Sequence, residues 1–320
     1  MILAGIDEAG YGPTLGPLVV AAAGFRVPDA DEMPDLWKLL HRSTCRKPDG
    51  RRIPVNDSKK LYSTKKGLRP LEESVLAFLA LHETRLPPDF RALVRRLAGT
   101  TAGDGYLDSY PWYQGRNRRL PHGAYPNQVR VAAEKLAEDL RASGVELLGV
   151  RALPMEVLQF NRGVDRLANK AQISFQIVGS LLKRLWRTFP GERIEVLVDR
   201  QGGRMHYGPL LYRRIRPRGL RILEESEGAS SYDLFREGPP MRVTFAVESE
   251  ERSFPVALAS MFCKYLRELH MNLFNEFWAE RVVDLKPTAG YHVDAQRFLE
   301  EIATARHELG VDDSALIRRR

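Results

Sequence analysis

Asp7 and Glu8 stand side by side at the end of a short apolar run, Met1 to Ile6. A glycine-rich turn follows at once, Gly10-Tyr11-Gly12-Pro13 and then Gly16-Pro17. Neighbouring strand side chains point to opposite faces, so both carboxylates reach one site only where the strand ends. Strand ends in α/β sheets are where ligand crevices form. Asp199 closes a second apolar run, Ile194 to Val198, just before Gly202-Gly203; an acid there either caps a turn or joins a site. Glu268 lies in a polar stripe, Ser260, Lys264, Glu268 and Asn272, within an otherwise apolar segment. The four-residue spacing puts the stripe on one helix face. It either meets solvent through a Lys264–Glu268 pair or lines a polar cleft with Glu268 as a ligand. Gathered by a fold, such carboxylates suit Mg²⁺ or Mn²⁺, which prefer oxygen donors and offset the repulsion between them. Two such ions can activate water and stabilise a leaving oxygen on phosphorus. The histidines form no close ligand pair, so zinc is not indicated.

The elements that must position these groups follow from apolar periodicity. Residues 1–28 read as two strands, Leu3 to Ile6 and Leu18 to Phe25. The glycine spacing does not make a dinucleotide fingerprint, because a Val-Val-Ala strand follows where a helix is required. A short helix near Asp35 to Arg42 precedes Asn56-Asp57-Ser58-Lys59-Lys60-Leu61. Ser63 is placed to cap a helix running to about Leu81. A helix over Val129 to Ala142 ends at Gly144, a strand spans Glu146 to Leu153, and Pro154 to Phe160 makes a helical turn. One long helix is predicted over Asp165 to Phe189, a strand over Ile194 to Asp199 and a helix over His206 to Ile215. Strands near Leu220 to Glu224 and Arg242 to Val247 come next. An apolar helix starts at Pro255, and another covers His292 to Leu309. Residues 29–54 and 84–128 read as insertions. The second, rich in arginine and aromatics, is either a lid packed on its own domain or a single-strand-binding loop.

The chain has 320 residues, 43% hydrophobic and 28% charged, enough for a large core and unlike a disordered chain. Its net charge of +8 points to a polyanionic partner, most simply nucleic acid. Cys45 and Cys263 suggest neither a disulfide framework nor a metal site, and a reduced cytoplasmic setting fits them. No signal peptide or membrane span is read, no protein partner is indicated, and a monomer is expected.

Gly5-Ile6-Asp7-Glu8-Ala9-Gly10-Tyr11-Gly12-Pro13 with Gly16-Pro17 resembles the opening motif of the ribonuclease HII family, the type 2 ribonucleases H. Asn56 to Leu61 looks like that family's second motif, and Val196-Leu197-Val198-Asp199 falls where its third acid ends a strand. Ala257 to Glu268 is similar to its alanine-rich helix, and Gly290-Tyr291 fits its Gly-Tyr motif. The resemblance implies an α/β ribonuclease H-like fold, a mixed sheet flanked by helices with a C-terminal helical part. Residues 1–254 would form the core with its insertions, and 255–320 the part completing the site. It implies hydrolysis of the RNA strand of RNA–DNA hybrids, or incision at ribonucleotides embedded in duplex DNA. Asp7, Glu8, Asp199 and Glu268 would hold Mg²⁺ or Mn²⁺. Gly10, Tyr11 and Gly12 would sense the 2′-hydroxyl, Ser58, Lys59 and Lys60 would meet phosphates, and Tyr291 would stack on a sugar. The chain departs from the family at Tyr11, usually Arg, and at Glu268, usually Asp. Those departures motivate one alternative, a nucleic-acid-binding protein without cleavage; a second alternative is a nuclease of related fold acting on branched DNA.

Overall fold

A computed structural model describes residues 1–29, 32–63, 67–82, 86–99, 105–167 and 170–319. The strands are β1 Ile2–Ala9, β2 Leu18–Arg26, β3 Thr44–Cys45, β4 Ile53–Pro54, β5 Glu146–Met155, β6 Ile194–Asp199, β7 Gly219–Glu225, β8 Ala229–Phe235 and β9 Met241–Ala246. Seven of them form one mixed sheet in the order β5-β2-β1-β6-β9-β8-β7, while β3 and β4 make a small separate pair. β1 runs antiparallel to β2 and parallel to β6, with Ile6 opposite Val198. Asp7 therefore comes to lie beside Asp199, where both strands end.

Both faces of the sheet are covered, as expected for strands that read as continuous apolar runs. Leu3 joins a core shared with the long helix Phe254–Ala279. Ile2, Ala4 and Ile6 join a second core under the helices Lys170–Thr188 and Gly208–Ile215. The mixed sheet flanked by helices expected from the sequence is thus present. Among the described residues, no helix is long and apolar enough to cross a membrane.

The long helix starts where Ser253 caps it by accepting from the Val256 amide, with Pro255 in the first turn, where no amide is needed. Its first turn rests on the β1 backbone. A Cβ at Gly5 would lie 2.1 Å from the Val256 nitrogen and 2.3 Å from the Pro255 carbonyl carbon.

Several boundaries differ from the sequence reading. The helix expected from Ser63 begins at Arg69, with residues 64–66 outside those described. The helix expected over 165–189 is present as Lys170–Thr188, and Val157–Leu167 before it is also helical, with 168–169 outside the described residues. The last predicted helix divides into His292–Glu301 and Ala303–Glu308, followed by Asp313–Leu316. β8 was not foreseen because its buried positions are partly polar. Asp233 is matched by Arg221 and Arg242, and Ser231 meets Thr244 at 2.9 Å.

Both insertions are pinned by buried carboxylates. Asp139 accepts from the Arg42 and Ser43 amides and the Ser43 hydroxyl. Glu72, fully buried, accepts from the His122, Gly123 and Ala124 amides and the Tyr265 hydroxyl. Tyr110, Trp112 and Tyr113 are buried, with Trp112 and Tyr113 against Phe274 and His270 of the long helix. Arg116 and Arg118 pair with Glu280 and Glu276. These aromatics are not available to stack on bases, so this part of the second insertion is packed on its own domain.

Gly5→Ala is expected to lower stability by at least the roughly 1–3 kcal/mol of an overpacked core, because backbone rather than a side-chain tip must move. Urea unfolding measures it; an unchanged midpoint would mean that the helix does not rest on β1.

Candidate active site

Asp7 is buried at 7% exposure on the long-helix face of the sheet, where Ser260 hydrogen-bonds its carboxylate. Its Oδ1 also accepts from the Glu8 amide at 2.7 Å. Asp199 accepts from the Ser249 amide at 3.2 Å. The short helix Ser249–Arg252, entered through Glu248 at φ 52°, brings Glu250 into hydrogen-bonding contact with Asp199. Glu8 points to the opposite face, as strand alternation requires. There its Oε2 accepts from the Ser174 hydroxyl and from Gln201 Nε2 at 2.8 Å.

Burial, and then the charge of Asp199, push Asp7 well above the ordinary carboxylate range. Burial followed by the Glu250 charge lifts Asp199 to about 7. Burial also raises Glu8, against the opposing hydrogen bonds from Ser174 and Gln201. Burial would lower Lys59, but Asp57, Glu250, Asp7 and Asp199 outweigh it and raise its pKa. It therefore stays charged beside the cluster.

Two expected residues are placed elsewhere. Glu268 accepts from the Tyr62 hydroxyl at 2.7 Å and from Lys264 at 2.6 Å. It sits two turns beyond Ser260, about 12 Å along the helix axis. The carboxylate whose charge acts on both Asp7 and Asp199 is Glu250. Its sequence signal was the acidic run Glu248-Ser249-Glu250-Glu251, just ahead of a helix cap. Ser58 is buried with its hydroxyl 3.1 Å from that of Ser260, which ties its motif to the long helix. Lys60 pairs with Glu251.

The glycine turn is held from behind by two buried arginines. Arg267 donates to the carbonyls of Leu15 at 3.3 Å and Ala289 at 3.0 Å. Arg318 donates to the carbonyls of Gly16 at 2.8 Å and Gly10. Gly10 has φ +86°, and a Cβ there would lie 2.5 Å from Arg267 Nε. Gly12 faces open space. The Gly290 carbonyl accepts from Thr14 at 2.7 Å, which sets exposed Tyr291 next to the turn. Tyr11 packs against the second core with Lys170 Nζ 5.0 Å from its ring centre. A cation thus stands beside Tyr11. Neither Arg318 nor Lys170 carried a signal in the sequence, since neither lies in a motif.

Among the described residues, no three His, Cys, Asp or Glu side chains are drawn around one point. The donor chemistry nevertheless fits a hard divalent cation. The donors are all carboxylate oxygens, their charges repel one another, and Glu250 Oε2 is buried with no hydrogen-bond partner.

No protein-family profile and no curated protein matches the chain. Solved structures do. The ribonuclease HII of Archaeoglobus fulgidus, solved in complex with PCNA, is 16% identical, with a TM-score of 0.40, over 100% of this chain and 95% of its own. The ribonuclease H2 of Pyrococcus horikoshii OT3 is 14% identical, with a TM-score of 0.43, over 99% and 92%. Bst-RNase HIII in complex with Mn²⁺ is 15% identical, with a TM-score of 0.43, over 99% and 66%.

The raised carboxyl groups fix the sign of one pH effect. The folded protein binds their protons more tightly than the unfolded chain does. Their contribution to stability is complete below about pH 4 and is lost as pH rises through about 7 at Asp199. In metal-free buffer the urea midpoint is therefore expected to fall between about pH 5 and 8, and Asp199→Asn to flatten that fall. An equal slope in both proteins would contradict the buried Asp199–Glu250 contact.

Proposed function

We propose that the chain is a metal-dependent endonuclease of the ribonuclease H type. Its substrate is the RNA strand of an RNA–DNA hybrid or a ribonucleotide embedded in duplex DNA. One observation carries this reading: Asp7 feels the charges of both Asp199 and Glu250 where β1 and β6 end side by side, on the strand that leads directly into a glycine turn with an open face.

Asp7, Asp199 and Glu250 would hold Mg²⁺ or Mn²⁺. Such ions, when bound, supply an activated water and a stabilised leaving oxygen. Glu8, fixed by Ser174 and Gln201, supports the site from the other face and orients water. The turn's backbone at Gly10, Tyr11 and Gly12 reads the 2′-hydroxyl, the group that separates RNA from DNA. Glycine lets that backbone come close to a sugar. Lys59 meets the phosphate next to the carboxylates. Lys170 and Arg319 line a cavity of about 290 Å³ beside Tyr11 and bind a neighbouring phosphate. Tyr291, exposed beside the turn, stacks on the adjoining sugar.

The test is cleavage of duplex DNA carrying one ribonucleotide, and of an RNA–DNA hybrid, with Mg²⁺ and with Mn²⁺. Folded protein that cuts neither substrate sinks the proposal. Glu250→Gln is expected to lower the rate by at least the roughly 10- to 100-fold typical of a disturbed metal surround. Glu268→Gln is expected to leave the rate within a few-fold and to lower stability by about 1 kcal/mol through the weakened bond to Lys264. The reverse ranking would return Glu268 to the site.

A further inference from the structure

Many arginines of this chain are matched by carboxylates. Arg26 pairs with Glu146 and Glu192, Arg91 with Asp108, and Arg242 with Asp233. One region departs from this pattern. A cavity of about 580 Å³ between the helices Lys170–Thr188 and Gly208–Ile215 is lined by Ser180, Lys183, Arg184, Arg187, Thr188 and Arg214. No acid is among these residues. Lys183, Arg184 and Arg187 share one helix face by their three- and four-residue spacing. Arg214 reaches them from the second helix, its stem lying in the gap left by Gly179 and its guanidinium on the Ser180 hydroxyl.

Arg184 and Thr188 also line an adjoining cavity of about 310 Å³, where β5 contributes Arg151. Among the described residues, no acid lines that cavity either. Burial, and then the charges of Arg184 and Arg96, disfavour the charged form of Arg151. Two helices and a strand from different parts of the chain thus bring cations together over two joined cavities. Ser174, which touches Glu8, is ten residues before Arg184 on the same helix, so Arg184 lies about 15 Å along the helix axis from the Glu8 contact.

We infer that this belt of Arg151, Lys183, Arg184, Arg187 and Arg214 binds the phosphodiester backbone of a nucleic acid, at a surface separate from the carboxylate site. A single phosphate would not need cations spread over two cavities, whereas a backbone presents charges in a row. The contact is electrostatic and carries no sequence preference. It does not depend on the cleavage proposal, because it requires neither a metal nor a ribonucleotide.

The test is fluorescence-anisotropy binding of an all-DNA 30-base-pair duplex and of a 30-nucleotide single strand, each across a salt series without metal. The belt variant Lys183→Glu, Arg184→Glu, Arg187→Glu is compared with Lys38→Glu, Arg130→Glu, Lys135→Glu, which makes the same charge change on exposed residues elsewhere. Thermal melts establish that both fold. The belt variant is expected to bind at least 10-fold more weakly, with a salt slope shallower by about 0.9 for each duplex phosphate that is no longer neutralised. The control is expected to stay within 3-fold of the parent. Arg184→Lys alone should retain binding, since a point charge suffices. Equal losses in belt and control variants would overturn the inference, as would an unchanged belt variant. Pyrophosphate binding abolished by the belt changes while nucleic-acid binding persists would show that the belt takes a small anion and would overturn it too. A parent that cuts no ribonucleotide substrate but loses duplex binding on belt reversal would sink the cleavage proposal and leave this one standing.

Discussion

The candidate site depends on one backbone-to-backbone contact, the first turn of the long helix on Gly5 of β1. Asp7 is two residues beyond that contact on the strand, and Ser260 is four residues beyond Val256 on the helix. The approach at Gly5 therefore sets the separation at which Ser260 can hydrogen-bond Asp7. Deeper along the same pair, Cys263 donates to the Asp7 carbonyl at 3.2 Å and Arg267 closes on Gly10. Strand and helix run together as two rails, and the site is built on the crossbars between them.

The rails support two groups with opposite electrical demands. The carboxylates gather like charge where burial penalises it. The glycine turn needs rigid support that does not neutralise its neighbours. Arg267 and Arg318 meet both needs by directing guanidinium donors to neutral carbonyls. The turn is fixed by charge-assisted hydrogen bonds, yet no carboxylate of the cluster is tied into a salt bridge with either arginine among the described residues. Lys59 is the nearby cation that answers the cluster directly.

Much of the core was legible because β1, β2 and β6 are apolar runs with little alternation, and their acids mark the ends. Asp7, Glu8 and Asp199 stood out for that reason. Glu250 did not, because its position depends on a four-residue helix entered through a left-handed residue, which leaves no periodic trace. Glu268 was prominent for a regular spacing that turned out to serve a Tyr62–Lys264 contact. β8 escaped because its buried polar residues are matched across strands, information that no single segment carries. Arg318 was invisible for the same reason. A guanidinium that will hold a distant carbonyl looks, in sequence, like any surface charge.

The Arg318–Gly10 bond joins residues 308 apart. Loops of that span close late, after local elements have formed and paired. β1 and β2 can meet as a hairpin early, but the turn between them acquires its support only when the far end of the chain docks. Chemical competence should therefore be the last property gained in folding and the first lost on partial unfolding. A sheet with native spectroscopic signatures can then precede a functional turn in time, and hydrogen exchange at the turn would report completion better than overall secondary structure does.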